Sequence, residues 1–411
     1  MWALPNQKGH SMYDAIVIGA RCAGAPIAML LARKGHKVLL VDRSKFPSDV
    51  RHSTLLIHQP GCQLLRDWGL LDEVIATGCP ALRGWYVALG PLVFQGIPPP
   101  AEGGQAESYA PRRYLLDQIL VNAAVKAGAE FRDGLAIEEI VKDGDRVTGI
   151  HTAAGTEHAR IVIGADGIHS KVAAAVDAPE YNVQPARLSA CYTYFSNVSM
   201  VEGAQLELYI GTYRGIFGWP TNDGKVLFGL TWQAHELEEM SKDLERNFFA
   251  VFETLAPDLY SRLRAGKRED EFITGRLPRC FFRKPYGPGW ALVGDAGAAY
   301  EYSTAHGITN AFRQAQHAAD ALAEGLSGRR SLDEALADFE RQRNDFEFPY
   351  YDFTYHQATQ QPPDPNVIPL FAAIAKSPRA TSDFFGVFAQ TMSPAAFFAP
   401  ENLGAIMSGQ R

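Results

Sequence analysis

Residues 291–307 read ALVGDAGAAYEYSTAHG, and a helix-forming run continues over residues 308–325. An apolar strand pattern ends at Gly294-Asp295, a loop follows, and the helix begins at a small residue. Near the other end of the chain, residues 13–42 contain an apolar strand, a glycine turn, a helix and a second strand that ends at Asp42. Two such units predict an α/β fold that holds one extended ligand at the ends of its strands.

The first unit carries an altered glycine fingerprint, YDAIVIGARCAG over residues 13–24. Gly19 is expected to make the tight turn after the strand, and Gly24 to let the helix pack on the sheet. Arg21 replaces the middle glycine of GxGxxG, which weakens the motif because that glycine normally lets the backbone approach a pyrophosphate. The helix amino end still points at phosphate, and Asp42 can bind ribose hydroxyls while repelling a 2′-phosphate.

The presence of both units narrows the choice of ligand. A nicotinamide dehydrogenase needs only the first unit, whereas a protein that holds extended FAD must also grip the ribityl chain and the flavin ring. The pair therefore predicts a flavoprotein. Arg43, beside Asp42, is expected either on the adenine face or at a solvated strand end.

Length and composition exclude several other classes of protein. With 411 residues, 46% hydrophobic and 21% charged, the chain is expected to form two intimately joined globular domains. The net charge of −7 gives no reason to expect nucleic acid or an anionic membrane as a partner. Five scattered cysteines without a CxxC pair indicate neither a metal nor a dithiol site and fit a reducing cytoplasm. No apolar stretch approaches the ~18 residues of a membrane span, and the polar first twelve residues are interpreted as a flexible arm or a cloning remnant.

Two segments in the middle of the chain add candidate ligand-binding residues. Arg113 stands at the amino end of the buried stripe of a predicted helix, where it can reach a phosphate or the ribityl hydroxyls. A buried strand over residues 160–164 is followed by Asp166 and Gly167. An acid and a glycine at a strand end usually lie at a ligand edge in an α/β sheet.

Four elements now occur in one order with compatible spacing. They are the altered GxGxxG, Arg113-x-x-Leu-x-x-x-Leu, Gly164-Ala-Asp-Gly-x-x-Ser170 and Gly294-Asp-Ala. In this set the chain resembles single-component FAD-dependent monooxygenases of the para-hydroxybenzoate hydroxylase class, in the branch shared with geranylgeranyl reductases and flavin halogenases. The resemblance covers about residues 13–345. It is strong for fold and FAD and weak for the substrate.

The resemblance implies a set of cofactor contacts. Arg113 would contact the FAD phosphate or ribityl region, Asp166 would lie near the pyrophosphate and the nicotinamide-nucleotide entry, and Asp295 would bind a ribityl hydroxyl. Residues 307–308 would present N–H groups to the flavin pyrimidine edge, where a helix amino terminus stabilises the negative charge of reduced flavin. The implied cofactors are FAD and NAD(P)H, and the implied cofactor-binding residues are Gly19, Ala20, Cys22, Ala23, Gly24, Asp42, Arg43, Arg113, Asp166, Gly294, Asp295, Gly307 and Ile308.

The loop before the flavin helix departs from the family pattern. The family usually has proline there, and this chain has Tyr302. Tyr302 and His306 are the candidate catalytic residues, since either could be the base that deprotonates a phenol. Tyr302 is also predicted to lie in the wall of the active pocket. FAD is expected to be non-covalent, with His306 as the one candidate for a tether.

An aromatic-rich region lies between the motifs. Residues 188–232 alternate like antiparallel strands, and such a sheet beside a flavin typically forms the substrate floor. The density of aromatic side chains predicts an apolar or aromatic small-molecule substrate. The predicted substrate-binding residues are Tyr192, Tyr194, Tyr209, Phe217 and Trp219.

The predicted architecture is an α/β Rossmann-like FAD-binding domain with an antiparallel β-sheet substrate domain and a C-terminal helical cap. The cap is rich in aromatic residues and either covers the pocket or forms a homodimer surface. The expected boundaries are 13–80, 105–185 and 280–345 for the FAD-binding domain, 81–104 and 186–279 for the substrate domain, and 346–411 for the cap.

Three functions remain open from the sequence. The first is a monooxygenase that uses NAD(P)H and O2 to hydroxylate an aromatic or polyketide-like molecule through a flavin C4a-hydroperoxide. The second is an FAD-dependent reductase of isoprenoid or other double bonds, although the paired cysteines of that branch are absent. The third is an FAD-binding protein without redox turnover. A halogenase is disfavoured, because that branch needs a lysine between the glycine turn and the substrate sheet and none occurs over residues 46–125.

Overall fold

The structure, a computed structural model, describes residues 12–50 and 52–410. The interpretation of the first twelve residues as an arm therefore concerns a segment that lies, except for Met12, outside the described residues. Within the described part of the chain, no helix combines the length and the apolar character needed to cross a bilayer.

Strands occur in three sheets. In chain order they are β1 (Tyr13–Ile18), β2 (Val38–Val41), β3 (Trp85–Leu89), β4 (Leu92–Gly96), β5 (Glu130–Arg132), β6 (Ile137–Asp143), β7 (Arg146–Thr152), β8 (Gly155–Gly164), β9 (Glu180–Pro185), β10 (Leu188–Ser196), β11 (Leu206–Gly211), β12 (Arg214–Pro220), β13 (Val226–Gln233), β14 (Lys267–Arg268), β15 (Ile273–Arg276), β16 (Arg279–Arg283), β17 (Tyr286–Gly287), β18 (Trp290–Leu292) and β19 (Ala298–Ala299).

Helices connect and cover these sheets. In chain order they are α1 (Gly24–Arg33), α2 (Gln59–Asp67), α3 (Leu71–Ala76), α4 (Arg113–Lys126), α5 (Lys171–Ala175), α6 (Leu237–Lys242), α7 (Leu244–Leu255), α8 (Pro257–Ala265), α9 (Gly307–Leu326), α10 (Leu332–Gln357), α11 (Ile368–Lys376), α12 (Pro378–Phe388), α13 (Pro394–Phe397) and α14 (Pro400–Met407).

The first sheet is the predicted Rossmann-like sheet. Its strand order is β17-β18-β8-β1-β2-β5, and β1 pairs in parallel with both β2 and β8. All four residues of β2 are buried, as expected for a parallel strand covered on both faces. Helices α1, α4 and α9 pack on one face, and β6, β7 and α5 cover the other. The small residues at the start of α1 let that helix lie close to the sheet.

The second sheet is the predicted antiparallel one. Its order is β14-β10-β13-β12-β11-β3-β4, with β15 also paired to β10. All pairs within it are antiparallel except β11 with β3. One face packs against α10 to α14 and the other against α7 and α8. Because side chains alternate along a strand, neighbouring residues of β10 to β13 face different layers.

A third, small sheet joins the two large ones. Its order is β19-β16-β9, and β9 leads directly towards β10 while β19 leads towards α9. The segment between β19 and α9 therefore runs from the parallel sheet along the edge of the antiparallel sheet. This placement brings the loop of residues 300–306 between the two sheets.

Candidate active site

The carboxyl ends of the parallel strands open onto one cavity. Its volume is about 1030 Å³, and its wall continues from the turn after β1 to residues of β10 and β15. Ligands of open α/β sheets bind at this edge, outside the carboxyl ends of the strands. Of the predicted site residues, the wall contains Gly19, Cys22, Ala23, Asp42, Arg43, Arg113, Asp166, Tyr192, Gly294, Asp295, Tyr302, His306, Gly307 and Ile308.

The turn between β1 and α1 requires glycine at two positions. Gly19 has a φ of +97°, and a Cβ there would lie 2.4 Å from the carbonyl oxygen of Ala165. A Cβ on Gly24 would lie 1.7 Å from the carbonyl oxygen of Gly19. No side chain fits at either place, so the chain can pass close to a ligand at this turn. Gly24 supports the turn from behind and is not part of the cavity wall.

Asp42 joins the end of β2 to this turn. Its two carboxylate oxygens accept the backbone N–H groups of Ala20 at 2.9 Å and Ser44 at 2.8 Å. Ala20 is fully buried behind the wall, so its predicted cofactor contact is indirect in this geometry. Asp42 itself lines the cavity, and each of its oxygens keeps a lone pair that can accept a ligand hydroxyl.

Arg21 occupies the position where the fingerprint usually has its middle glycine. Its Nη1 atom lies 2.9 Å from Oδ2 of Asp117, and its Nη2 atom donates to the hydroxyl of Ser48 at 2.9 Å. The guanidinium is thus held against α4 and the segment after β2.

Asp117 on α4 is the centre of the charged cluster beneath the turn. It is fully buried and accepts hydrogen bonds from Nε and Nη2 of Arg113 at 3.0–3.2 Å. The thiol of Cys22 donates to it at 3.5 Å, and burial raises the pKa of that thiol to about 12. Burial lowers the pKa of Arg113, but the acidic neighbours Cys22, Asp117 and Asp295 outweigh it and raise that pKa above its ordinary value. Arg113 is therefore a fixed cation in the cavity wall.

Asp166, at the end of β8, caps the short helix α5. Its Oδ2 atom accepts the N–H groups of Lys171 at 2.7 Å and Val172 at 3.4 Å. Its Oδ1 atom is buried and has no hydrogen-bond partner among the described residues. Burial raises the pKa of this carboxyl, opposed by the bonds it accepts. A buried polar atom without a partner at the cavity wall marks a place where a ligand donor fits.

The turn after β18 presents Asp295 to the same cavity. Its side chain is open to the cavity and makes no hydrogen bond to any residue that the structure describes. The surrounding protein separates it from bulk water, which raises its pKa to about 6 against the lowering effect of Arg113. Behind the turn, the N–H of Gly294 donates to Oε1 of Gln314 at 2.8 Å, and Gln314 donates to the buried Glu347 at 2.8 Å.

The amino end of α9 forms another part of the wall. Gly307 is exposed to the cavity, and a Cβ placed on it would meet no atom within 4 Å. Ala305 just before it has a φ of +55°, an uncommon backbone conformation for a residue with a side chain. Gly307 and Ile308 are thus presented by a sharply bent loop at the start of a 20-residue helix, whose free N–H groups favour an anion.

The two predicted catalytic side chains are already engaged by the protein. The Tyr302 hydroxyl hydrogen is shared between the backbone carbonyls of Leu188 at 2.9 Å and Gly275 at 3.2 Å, and burial raises its pKa well above the ordinary value. Tyr302 lines the cavity, but its oxygen is turned into the sheet. The structure therefore does not support the prediction that Tyr302 is a base.

His306 is likewise fixed. Its Nε2 atom lies 2.7 Å from the carbonyl oxygen of Phe388, so that nitrogen carries the hydrogen, and Nδ1 lies 3.1 Å from the hydroxyl of Thr304. Burial, followed by the neighbouring His58, lowers the pKa of His306 well below its ordinary value. The ring is a neutral structural contact, and the predicted role of His306 as a base has no support in this geometry.

Only one of the five predicted substrate-binding aromatics lines the cavity. Tyr192 does so, and its hydroxyl both accepts from the N–H of Ser53 at 2.9 Å and donates to the carbonyl of Ser53 at 3.1 Å. Trp219 donates to the carbonyl of Thr54 at 2.8 Å from within the core. Both side chains therefore hold the wall segment 52–56 against the sheet.

The other three predicted aromatics lie elsewhere. Tyr194 packs under the guanidinium of Arg112, and Phe217 packs on the ring of Trp219. Tyr209 lies on the opposite face of the sheet, where its hydroxyl donates to Glu207 at 2.6 Å. Strand alternation turns Tyr209 to the far face, whereas the rings of Tyr194 and Phe217 lie on the same side as Tyr192 but are taken up by core packing. The structure therefore does not support the prediction of substrate contact for these three residues.

Sequence reasoning missed several residues that shape the site. Asp117 could have been found, because it stands four residues after Arg113 on one helix, where opposite charges pair. Glu301 and Gln314 carry no local signal. Glu301 is buried, its carboxylate accepts the backbone N–H groups of Arg187 and Leu188, and burial raises its pKa to about 7.

These features fit an extended dinucleotide with a flavin end. The glycine turn leaves room for the pyrophosphate, Asp42 and Asp166 offer acceptors, and the helix start at Gly307 offers donors. Arg113 is a cation of the kind that binds phosphate groups. The cavity is long enough to continue beyond the helix start to Tyr192.

Comparison with known proteins agrees with this fit. Residues 12–253, more than half of the chain, match the family model of the FAD binding domain. A digeranylgeranylglycerophospholipid reductase from Methanosarcina acetivorans is 28% identical over 339 residues, 77% of this chain and 76% of that protein. A 1H-pyrrole-2-carbonyl-[peptidyl-carrier protein] brominase from Pseudoalteromonas luteoviolacea is 24% identical over 337 residues, 77% of this chain and 78% of that protein.

A solved structure shows the same fold. It is that of PqsL, described as a probable FAD-dependent monooxygenase from Pseudomonas aeruginosa, with a TM-score of 0.71, 19% identity and coverage of 92% of this chain and all of that one. The chain belongs to the FAD-binding domain family, and it is an FAD-dependent oxidoreductase. The predicted fold, FAD and the branch shared by reductases, halogenases and monooxygenases are confirmed.

Proposed function

We propose that this member of the FAD-binding family is a monooxygenase that uses NAD(P)H and O2 to hydroxylate an apolar or aromatic small molecule. The observation that supports it most is the continuity of the cavity. One space of about 1030 Å³ joins the two glycine turns to Ala190 and Tyr192 on the antiparallel sheet. A substrate bound at the sheet would thus share an enclosed space with the cofactor.

The chain's own residues have separable tasks in this proposal. Gly19, Asp42 and Arg113 would hold the adenosine and phosphates, and Asp295 would bind the ribityl chain. The N–H groups at residues 307–308 would stabilise negative charge on the pyrimidine edge of the ring. When bound, FAD supplies the redox chemistry by accepting electrons from NAD(P)H and passing them to O2.

Apolar side chains line the substrate end of the cavity. Leu55 and Leu56 are 2% and 3% exposed, and they line the wall together with Ala190 and Tyr192. Leu55 has a φ of +72°, a strained conformation for a bulky residue, and such strain is concentrated at functional sites. An apolar enclosure of this kind fits an apolar or aromatic substrate better than a charged one.

A halogenase is disfavoured by the position of the lysine in the wall. Lys171 is the one lysine among the described residues of the cavity wall. Its Nζ donates to the carbonyl of Ile137 at 2.8 Å. It stands beside Asp166, on the side of the parallel sheet, and is not available at the substrate end. Reduction of an isoprenoid or other double bond is the second candidate, because the reductase from Methanosarcina acetivorans matches over 77% of this chain.

Product analysis separates these candidates. Purified protein loaded with FAD is incubated with NADPH or NADH, O2 and a panel of phenols, polycyclic aromatics and isoprenoid alcohols, with bromide present in a parallel set. Monooxygenation gives NAD(P)H oxidation that depends on the substrate and a product carrying one added oxygen from ¹⁸O2. A product with two added hydrogens would replace the proposal by the reductase, and a brominated product would replace it by the halogenase. NAD(P)H that never reduces the bound FAD would support an FAD-binding protein without turnover.

A further inference from the structure

The loop between β19 and α9 is tied to the start of β10 by two consecutive side chains. The carboxylate oxygen Oε1 of Glu301 accepts the N–H groups of Arg187 and Leu188, the latter at 3.4 Å. The hydroxyl of Tyr302 donates to the carbonyl of Leu188 at 2.9 Å. Both backbone polar groups of Leu188 are thus engaged by this loop. We call this arrangement, in which the side chains of Glu301 and Tyr302 bind the backbone of Leu188, the Leu188 clamp.

The clamp stands between the two halves of the site. Leu188 begins the strand that carries Ala190 and Tyr192 to the cavity, and Glu301 and Tyr302 begin the loop that leads to Gly307. The hydroxyl of Tyr302 also donates to Gly275, which pairs with Ala190 across the sheet. A shift of the loop relative to β10 would therefore change the distance between the helix start and the substrate end.

We propose that Glu301 is a positioning residue, which through the Leu188 clamp holds the Gly307 edge of the FAD site in register with the substrate sheet and does so most firmly when its carboxyl is protonated. The identity of the substrate end in this inference rests on the proposed function, whereas the FAD site does not. The observation that singles out Glu301 is its second carboxylate oxygen. Oε2 of Glu301 is buried and has no hydrogen-bond partner among the described residues, so it is where a proton would reside.

The surroundings of Glu301 make it the group that titrates in this cluster. Burial raises its pKa to about 7, while the backbone N–H groups and Arg187 lower it. The other titratable groups facing it are Cys280, Tyr302 and Tyr351, and burial raises the pKa of each above its ordinary value. None of these neighbours loses a proton near neutral pH.

The physical consequence follows from linkage. A carboxyl released from the clamp meets water and regains its ordinary pKa, so a raised pKa in the clamp means that the clamped state binds the proton more tightly. As pH rises through about 7, Glu301 ionises with a buried oxygen that has no partner among the described residues, and the clamp weakens. FAD affinity is then expected to fall as pH rises in this range, because the loop is less well placed.

The test is the dissociation constant of FAD, measured by flavin fluorescence between pH 5.5 and 8.5. The wild type should bind FAD roughly 3- to 10-fold more weakly at pH 8 than at pH 6. Glu301→Gln keeps a neutral acceptor at Oε1, so at every pH it should bind FAD with the affinity that the wild type has at low pH. The contribution of residue 301 to the pH dependence of FAD binding then disappears. Tyr302→Phe should weaken binding at every pH and leave the slope with pH unchanged.

Glu207→Gln is the matched control, because Glu207 is a buried carboxylate of the same sheet that pairs with Arg262 on the face away from the cavity. It should lower thermal stability and leave the pH profile of FAD binding as in the wild type. A wild-type pH profile in Glu301→Gln, with the fold intact by circular dichroism, would overturn the proposal. Failure of hydroxylation in a protein that shows the expected FAD profile would instead count only against the proposed function.

Discussion

Asp117 holds Arg113 through a forked contact, with Oδ1 and Oδ2 of the carboxylate each 3.0 Å from Nη2 of the guanidinium. The same carboxylate accepts Nη1 of Arg21 at 2.9 Å, from the position where the fingerprint lacks its glycine. One buried acid thus fixes the cation that faces the cavity and also the residue that alters the phosphate turn. The substitution of glycine by Arg21 is tolerated because its charge is neutralised from α4.

Removing the charge of Asp117 should damage both stability and cofactor binding. Breaking a buried ion pair by removing one partner leaves the other charge uncompensated, so Asp117→Asn should lower the free energy of unfolding by on the order of 3 kcal/mol. FAD affinity should fall with it, because Arg113 loses its fixed position. The control is Asp320→Asn, since Asp320 pairs with Lys34 at the surface and should contribute less than ~1 kcal/mol. Equal effects of the two changes in denaturant unfolding would refute the central role of Asp117.

Asp295→Ala should lose FAD while the fold survives. The carboxylate has no hydrogen bond to the described residues and is open to the cavity, so its removal leaves no protein group unpaired. A charge-assisted bond to a ribityl hydroxyl contributes on the order of 1.5–3 kcal/mol, and its loss should weaken FAD binding ~10- to 100-fold. Equilibrium dialysis of FAD gives the affinity and thermal unfolding of the apoprotein gives the stability. Unchanged affinity would remove Asp295 from the site.

Gly307→Ala should separate cofactor binding from folding. A Cβ at Gly307 meets no protein atom, so the apoprotein should be as stable as the wild type, whereas the added methyl group projects into the space proposed for the flavin edge. FAD binding should weaken ~10-fold or more, since a methyl group that displaces the ring edge costs at least ~1.4 kcal/mol. Gly404→Ala in α14 is the control, because it also meets no atom and should stabilise the helix by ~1 kcal/mol without changing FAD binding. Normal FAD affinity in Gly307→Ala would place the flavin edge elsewhere.

The stability of the apoprotein should fall as pH rises from about 4 to about 7. Burial raises the pKa of Asp295 to about 6 and of Glu347 to about 7, so the folded state holds protons there that the unfolded state has released. A carboxyl whose pKa is higher in the folded state stabilises the fold at low pH, and this contribution is lost as pH rises towards and through the folded pKa. Glu347→Gln should therefore raise the unfolding free energy at pH 8 by ~1–3 kcal/mol and flatten the pH dependence. Glu139→Gln, at an exposed position on β6, is the control that should change neither.

Tyr192 and Tyr209 should differ in their effect on the substrate, although both are buried tyrosines of one sheet. Tyr192→Phe frees the backbone of Ser53 and loosens the wall segment 52–56, so KM for the substrate should rise about 3- to 10-fold, the equivalent of one hydrogen bond of ~1 kcal/mol. Tyr209→Phe removes a bond to Glu207 on the far face and should change thermal stability but not KM. An equal rise of KM in both variants would contradict the assignment of the substrate end.

The local chemistry of the two turns could be read from the sequence. A strand followed by Gly19 and Gly24 permits one backbone path. Asp42 ends the next parallel strand, and because parallel strands end at the same edge of a sheet, it lies beside that turn. Gly294-Asp295 before a helix is equally local. For this reason the α/β fold, FAD and the family branch followed from short motifs, and no distant contact was needed to establish them.

The tertiary structure alone decided which side chains are free to act. Tyr302 and His306 lie where the sequence predicts them, yet each gives its hydrogen to a backbone carbonyl of a distant segment, and no local pattern specifies that partner. The same holds for Tyr209, which strand register turns to the far face, and for Asp117, whose second partner comes from 96 positions away. Hydrogen-bond partners and buried faces depend on packing between segments remote in the chain, and the pKa values of Asp295 and Glu301 depend on how completely that packing excludes water.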